Sequence, residues 1–333
     1  MKTPLRVGVL GATGLVGRNM IASLERSDCR LESVHFWATE KGAGEVIPFR
    51  GGASVVERWS DGVEAGLDVL LLATKPEVSR AVAPAAVARG VLVIDNSRAY
   101  RMAPDVPLVV PEVNPEAIKS HSGIIANPNC STIQLVVALK PLQRAAGLER
   151  VIVSTYQAVS GIGREGIRTL AAEESEDPGR VSAGGAFPYP IHRNVIPQCD
   201  AFVEDGWTRE EWKMQVETRK ILEEDALPIG VTCVRVPVVA GHSEAVTVDL
   251  KSPLNPEEAR RIFAAAPGIF LQDDPPHSIY PTARDVAGRD GVFIGRVRRE
   301  AGRPGTLHFW VVADNLLKGA ATNAVQIMEA AAQ

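Results

Sequence analysis

Residues 127–134 read NPNCSTIQ, which places a cysteine between an Asn-Pro-Asn turn and a long apolar run. Pro128 and Asn129 form a turn, and CSTIQLVVALKPL continues apolar enough for a buried helix, so Cys130 falls at or within the first turn of that helix. There the unsatisfied N–H groups and the macrodipole favour the thiolate, the form that attacks a carbonyl carbon. A buried structural thiol produces the same stretch, because free cysteine is among the most buried residue types. A nucleophile needs an acid/base partner, and six histidines are available. His35 on a strand, His121 beside a helix end, His277 in a Pro-rich loop and His308 along a strand read as structural or exposed, and His192 lies in a long loop. His242 stands in AGHS, a turn between two strands, from which a side chain can project into a cleft.

A second chemical signal is GATGLVG at residues 11–17. It follows an apolar strand and opens a helix, the context of a dinucleotide-binding turn, with GxxGxxG spacing in place of GxGxxG. Gly11 allows the tight turn, Gly14 lets backbone N–H groups approach a pyrophosphate, and Gly17 permits close helix-on-strand packing. The second strand ends in Trp37-Ala38-Thr39-Glu40-Lys41-Gly42. Thr39 and Lys41 suit the 2′-phosphate of NADP, whereas Glu40 would repel it or accept a ribose hydroxyl of NAD. The expectation is NADP, with NAD left open by Glu40.

These residues need elements to position them. The first half alternates β-rich runs (5–10, 31–37, 68–74, 91–96) with helical stretches near 15–26 and 77–89, which indicates a doubly wound parallel sheet. After the helix behind NPNCST come a strand at 151–159 and a long Pro- and Gly-rich stretch, 173–197. Thr208-Arg209-Glu210-Glu211 reads as a capping box opening a helix to about residue 224. Strands follow at 231–239, 244–250, 292–299 and 306–314, and a helix over 315–332 closes the chain. At 333 residues, 45% hydrophobic and 23% charged, the chain suits two globular domains. A net charge of −4 without a basic block gives no footprint for nucleic acid or an anionic membrane. Small molecules are the expected partners. The four scattered cysteines form no CxxC pair and suggest neither disulfides nor a metal site. No run of 18 apolar residues and no secretory h-region is present, so a cytoplasmic protein is expected.

NPNCST (127–132), STYQAVSGIG (154–163), WKMQVETRKIL (212–222), CVRVPVVAGHSE (233–244) and DNLLKGAATNAVQI (314–327) together resemble the aspartate-β-semialdehyde dehydrogenases. The resemblance runs in order from the glycine loop to the last helix. It implies NADPH-dependent reduction of β-aspartyl phosphate to aspartate semialdehyde and phosphate, a step toward lysine, methionine and threonine. Cys130 would then be the nucleophile, His242 the acid/base and Gln157 the residue that orients the reacting group. Arg235 would fork onto the substrate carboxylate, Glu217 would meet the amine, and Lys220, Arg101 and Asn129 the phosphate. Taken alone, Arg235 is an ordinary strand arginine, and Glu217 and Lys220 an ordinary helical ion pair. The resemblance also assigns Gly11, Ala12, Thr13, Gly14, Leu15 and Val16 to the pyrophosphate, Ser160 and Gly161 to the nicotinamide, and Asn315 to its amide.

The implied architecture is a Rossmann-like domain, residues 1–129 plus 314–333, and a second α/β domain, 130–313, for catalysis and dimerisation in a homodimer or homotetramer. The N-acetyl-γ-glutamyl-phosphate reductases share this chemistry but carry their cysteine in a GCYPT-like stretch. A glyceraldehyde-3-phosphate dehydrogenase would surround its cysteine with Cys-Thr-Thr-Asn. A nucleotide-binding paralogue without chemistry should lack Cys130, His242 or Arg235, and all three are present.

Overall fold

The computed structural model describes residues 4–59, 66–175 and 185–333. The chain divides into two compact units, Met1–Asn129 with Ala320–Gln333, and Cys130–Gly319.

The first unit is built on β1 (Leu5–Leu10), α1 (Leu15–Arg26), β2 (Leu31–Ala38), β3 (Val46–Phe49), β4 (Gly52–Val55), β5 (Glu57–Arg58), β6 (Val69–Leu72), α2 (Pro76–Val87), β7 (Leu92–Asp95) and β8 (Ile124–Ala126). Its six-stranded sheet has the order β5-β2-β1-β6-β7-β8, with every pairing parallel. Parallel strands covered on both faces read as continuous apolar runs, and all four residues of β6 are buried. Alternate residues feed opposite layers: Val69 and Leu71 pack with Met20 and Leu24 of α1, while Leu70 and Leu72 pack with Val82 and Ala86 of α2. The strand order reverses at β1, whose neighbours are β2 and β6, so the glycine loop leaves the sheet at a topological switch point, where ligands of such sheets bind. The β3–β4 hairpin turns through Arg50 and Gly51, both at positive φ (47° and 78°), which matches the twist of the strands.

The second unit contains α3 (Cys130–Ala146), β9 (Leu148–Gln157), α4 (Arg164–Ser175), α5 (Arg209–Leu222), β10 (Ile229–Arg235), β11 (His242–Leu250), α6 (Pro256–Ala265), β12 (Ile269–Leu271), α7 (Ala283–Val286), β13 (Val292–Glu300) and β14 (Arg303–Ala313). Its mixed sheet has the order β10-β9-β11-β14-β13-β12. β9 shows why one face is covered: Val151, Val153, Thr155 and Gln157 are buried, whereas Ile152 and Tyr156 between them are each 37% exposed. α3 is apolar nearly all round and buried accordingly, and it packs with α5 and α6 on the covered face. The predicted capping box is present in α5: Thr208 N–H donates to Glu211 Oε2 at 2.7 Å, and Glu211 N–H donates to Thr208 Oγ1 at 3.3 Å.

Several expectations are corrected. The closing helix does not begin at 315; a π-helical turn (Leu317–Ala321) precedes α8 (Thr322–Ala331), which packs in the first unit. Residues 314–319 fall in the second unit, because Asp314 continues β14 and is tied there by the N–H groups of Gly288, Leu316 and Leu317. His242 is not in a turn but opens β11, paired with Ala313. Of the long stretch 173–197, residues 173–175 end α4, residues 176–184 lie outside the described residues, and 185–197 are irregular.

Glu244 shares the covered face with His242 and is fully buried. Burial pushes its carboxyl well above the usual range, and the nearby Gln134 amide opposes this only in part, since neither Glu244 oxygen has a hydrogen-bond partner among the described residues. The folded protein thus holds a neutral carboxyl that ionises readily once unfolded. A raised folded pKa contributes stability at low pH that is lost as pH rises from the ordinary carboxylate value toward the folded one. Glu244→Gln removes this dependence, so in thermal unfolding its Tm should gain on the wild type as pH rises above the ordinary carboxylate range. Parallel Tm–pH curves for the two proteins would contradict a neutral Glu244.

Candidate functional site

Cys130 is the first residue of α3 and is half-buried, so its thiol meets the positive end of a helix 17 residues long. Access to it depends on a glycine. A Cβ at Gly319 would lie 3.0 Å from the Cys130 Cβ, and Gly319 is itself held by its N–H to the Asp314 carbonyl. In the first unit, Asn127 pins the end of β8. Its Nδ2 donates to the Ala320 carbonyl at 3.2 Å, and its Oδ1 accepts from Asn323 Nδ2 at 2.7 Å.

Three further candidates meet at one end of the second sheet. Gln157 ends β9, Arg235 ends β10 as its register partner, and His242 starts the antiparallel β11 beside them. All three are 4% exposed or less. Residue 158 joins two of them: its N–H donates to His242 Nδ1 at 3.1 Å, and its carbonyl accepts from Arg235 Nη1 at 2.6 Å. Gly161 closes over the pair, since a Cβ there would lie 2.7 Å from Arg235 Nη1 and 3.4 Å from His242 Nε2.

The backbone bond to Nδ1 decides the state of the imidazole. An N–H donated to Nδ1 requires a lone pair there, so the neutral ring carries its proton on Nε2. Burial, reinforced by the Arg235 charge and opposed by Glu210, pushes the ring pKa down to about 3, which keeps it neutral. Nε2 is buried without a hydrogen-bond partner among the described residues. His242 is therefore an Nε2–H donor waiting for an acceptor. Arg235 complements it, for this buried guanidinium makes no ion pair among the described residues and bonds only the Ala158 carbonyl. A buried charge without a counter-ion is costly, and the arrangement suits an anionic ligand.

The α5 candidates are Glu217, 1% exposed, and Lys220, half-buried one turn later. Arg101 and Asn129 belong to the first unit. Arg101 Nη2 donates to the Asn96 carbonyl at 3.0 Å, and Asn129 is buried. Ser160 and Asn315 come together although 155 residues apart, with Asn315 Nδ2 donating to Ser160 Oγ at 3.0 Å. Asn315 Oδ1 accepts from Gly241 N–H, so both ends of its amide are engaged inside the unit.

The glycine loop has the geometry of a phosphate cradle. Gly11 lies at φ 91°, and a Cβ on it would stand 2.3 Å from the Ala73 carbonyl oxygen; one on Gly17 would stand 2.1 Å from the Gly11 oxygen. Exposed Gly14 caps α1 and offers no side-chain hydrogen bond to its first turn, and buried Ala12 with Thr13, Leu15 and Val16 completes the turn. Thr39 caps a 3-10 turn (Glu40–Gly42) after β2 and, like Lys41, is exposed. Gly42 approaches Thr13 so closely that a Cβ would meet its Oγ1 at 2.5 Å. Glu40 lies 3.8 Å from Arg58, a cation whose place beside it shows only in the fold. Sequence reasoning also missed Ser131 and Glu210, which bond Gln157. Their signals were slight: a hydroxyl next to the cysteine and one glutamate among several in α5.

Residues 6–121 match the family model of the semialdehyde dehydrogenase NAD binding domain, and residues 139–318 that of the semialdehyde dehydrogenase dimerisation domain. The aspartate-semialdehyde dehydrogenase of Aquifex aeolicus is 46% identical over 329 residues, 97% of either chain. That of Bacillus subtilis is 44% identical, covering 98% of this chain and 96% of its own. Among solved structures, aspartate semialdehyde dehydrogenase II from Vibrio cholerae complexed with ASA superposes with a TM-score of 0.94 at 41% identity, over 98% of each chain. The aspartate semialdehyde dehydrogenase with NADP from Candida albicans superposes with a TM-score of 0.75 at 26% identity, again over 98% of each chain. With both units matched over nearly their whole length, the chain belongs to the aspartate-semialdehyde dehydrogenase family.

Proposed function

We propose that this protein reduces β-aspartyl phosphate to aspartate semialdehyde with NADPH, releasing phosphate, through a thioester on Cys130. The observation that carries the reading is the buried guanidinium of Arg235, without an ion-pair partner among the described residues and held beside the Nε2–H of His242. A substrate with a carboxylate and a polarisable acyl group supplies what both lack.

The Cys130 thiolate, favoured at the N-terminus of α3, attacks the acyl carbon. The carbon–sulfur bond forms, the carbon–oxygen bond to phosphate breaks, and its electron pair leaves with the phosphate. Charge on the acyl oxygen in the tetrahedral species accepts the His242 Nε2–H, a fixed donor in a dry site. The proton exchange that the resemblance gives this histidine demands that Nδ1 release the Ala158 N–H. Arg235 orients the α-carboxylate bidentately and Glu217 the α-ammonium, while Lys220, Arg101 and Asn129 serve the phosphate. The glycine loop fits a dinucleotide, with Gly11, Ala12, Thr13, Gly14, Leu15 and Val16 at the pyrophosphate, Thr39 and Lys41 at the 2′-phosphate, and Ser160, Gly161 and Asn315 at the nicotinamide. The nicotinamide supplies the hydride that reduces the thioester. Arg58 beside Glu40 offsets the acidic charge that would oppose NADP. The partly exposed sheet face with Ile152, Tyr156 and Trp310 suits a homodimer contact.

The assay supplies aspartate semialdehyde, inorganic phosphate and NADP and follows NADPH absorbance. Turnover is expected, with NADP preferred to NAD; no turnover, or equal use of NAD, sinks the corresponding part of the reading. Cys130→Ala should lose at least about ten-thousand-fold in kcat. Arg235→Lys keeps the charge but not the fork, and kcat/KM should fall by roughly 10- to 100-fold, the worth of a charged hydrogen bond. Gly161→Ala, which drives a methyl at Arg235, should raise KM for the semialdehyde; an unchanged KM would remove this contact from the site.

A further inference from the structure

The geometry points to Glu210, anchored by Lys213, as the positioning residue that locks the Gln157 amide with its carbonyl oxygen presented as an acceptor in the catalytic site. The inference rests on the reaction proposed above and names residues that reading leaves out.

A primary amide has two N–H donors and one carbonyl acceptor. Both donors of Gln157 are engaged: Nε2 donates to Ser131 Oγ at 2.7 Å and to Glu210 Oε1 at 3.0 Å. Its Oε1 is buried and has no hydrogen-bond partner among the described residues. A carboxylate only accepts, so rotating the amide by half a turn would set Gln157 Oε1 against Glu210 Oε1, oxygen to oxygen. Glu210 thereby dictates which atom Gln157 presents.

Glu210 is held in turn. Its other oxygen, Oε2, accepts from Lys213 Nζ at 2.7 Å, and Lys213 also reaches Asp200 Oδ2 at 3.1 Å. Asp200 sits at φ 69° and caps its own turn through Ala201 N–H. That loop is tied to the site strand, since Ile196 and Arg235 exchange backbone hydrogen bonds at 2.9 and 2.8 Å. A rail of alternating charge, Asp200, Lys213, Glu210, thus runs from a partly exposed loop to the amide at the end of β9. A surface ion pair contributes little, but here the side-chain exposure falls from 27% at Asp200 to 13% at Lys213 and 9% at Glu210.

The consequence is a site of fixed polarity. His242 offers a donor, Nε2–H, and Gln157 offers an acceptor, Oε1. The donor suits the acyl oxygen. The acceptor suits a group that carries a proton, the substrate ammonium or the Cys130 thiol before it ionises, and it repels an acyl oxygen placed the wrong way round. Gln157 therefore selects the orientation of the acyl group instead of stabilising its charge.

Glu210→Gln tests this at nearly constant shape, because glutamine can show Gln157 either an oxygen or an N–H₂. The variant should lower kcat about tenfold with KM for NADP and Tm little changed, and the loss should vanish in a Gln157→Ala background, the sign of two residues acting through one another. Lys213→Met should lower kcat in the same direction, again only when Gln157 is present. Equal losses with and without Gln157, or no loss at all, overturn the proposal. An independent readout needs no turnover: with glutamine side chains ¹⁵N-labelled, the two Gln157 amide protons should appear in NMR as a widely split, slowly exchanging pair in the wild type and exchange fast in Glu210→Gln. A fast-exchanging pair in the wild type also overturns it. A wild type without activity but with the protected pair would count against the assigned reaction and leave the locked amide standing.

Discussion

Residue 158 is where the chemistry of this protein is fixed. Its N–H occupies His242 Nδ1 and its carbonyl takes a hydrogen from Arg235. One short piece of backbone, just past the end of β9, thereby sets the tautomer of the buried His242 and aims the buried Arg235 guanidinium. Backbone groups make good clamps because their position is secured by the ladder behind them, here the pairing of β9 with β10 and β11. No side-chain rotamer has to be frozen for the purpose.

The same sheet end gathers groups that water would normally solvate. Arg235, His242 and Gln157 are nearly inaccessible, and Glu244 lies on the same covered face. In a low-dielectric setting an unsatisfied donor or acceptor is strongly destabilising, so each such atom marks either a structural defect or a place kept for a ligand. Here the open groups are a cation, a donor and an acceptor, which in the proposed reaction would meet the substrate's carboxylate, its acyl oxygen and a protonated group. Part of the folding free energy is thus withheld as buried polar groups left open for a ligand, the usual relation between stability and function.

Much of the scaffold was legible beforehand because it is local. The strand β1, the glycine loop and α1 are adjacent in the chain, and steric rules alone require glycine where φ is positive and carbonyls crowd the Cα. The start of α3 at Cys130 followed from the turn residues before it, and the capping box of α5 from Thr208 and Glu211. Short pieces were not legible: the β3–β4 hairpin, the two-residue β5, and the three-residue β8 and β12. Strands that short owe their existence to the neighbour that pairs with them and carry no periodicity of their own. The π-helical turn before α8 is another such case, since Leu317–Ala321 reads in sequence as ordinary helix.

What the sequence by itself determined was the inventory and its order: a dinucleotide loop, a cysteine at a helix start, then Gln157, Arg235 and His242, and a family resemblance that the matched domains bear out. Only the tertiary structure decided what state those groups are in. The tautomer of His242 depends on an N–H 84 residues away, the direction of the Gln157 amide on a carboxylate 53 residues away, and the elevated carboxyl of Glu244 on burial beneath α3. The physical reason is range. Backbone sterics and hydrophobic period act between neighbours and can be read along the chain, whereas desolvation and hydrogen-bond polarity are properties of the completed surroundings and exist only once distant segments have closed around the group.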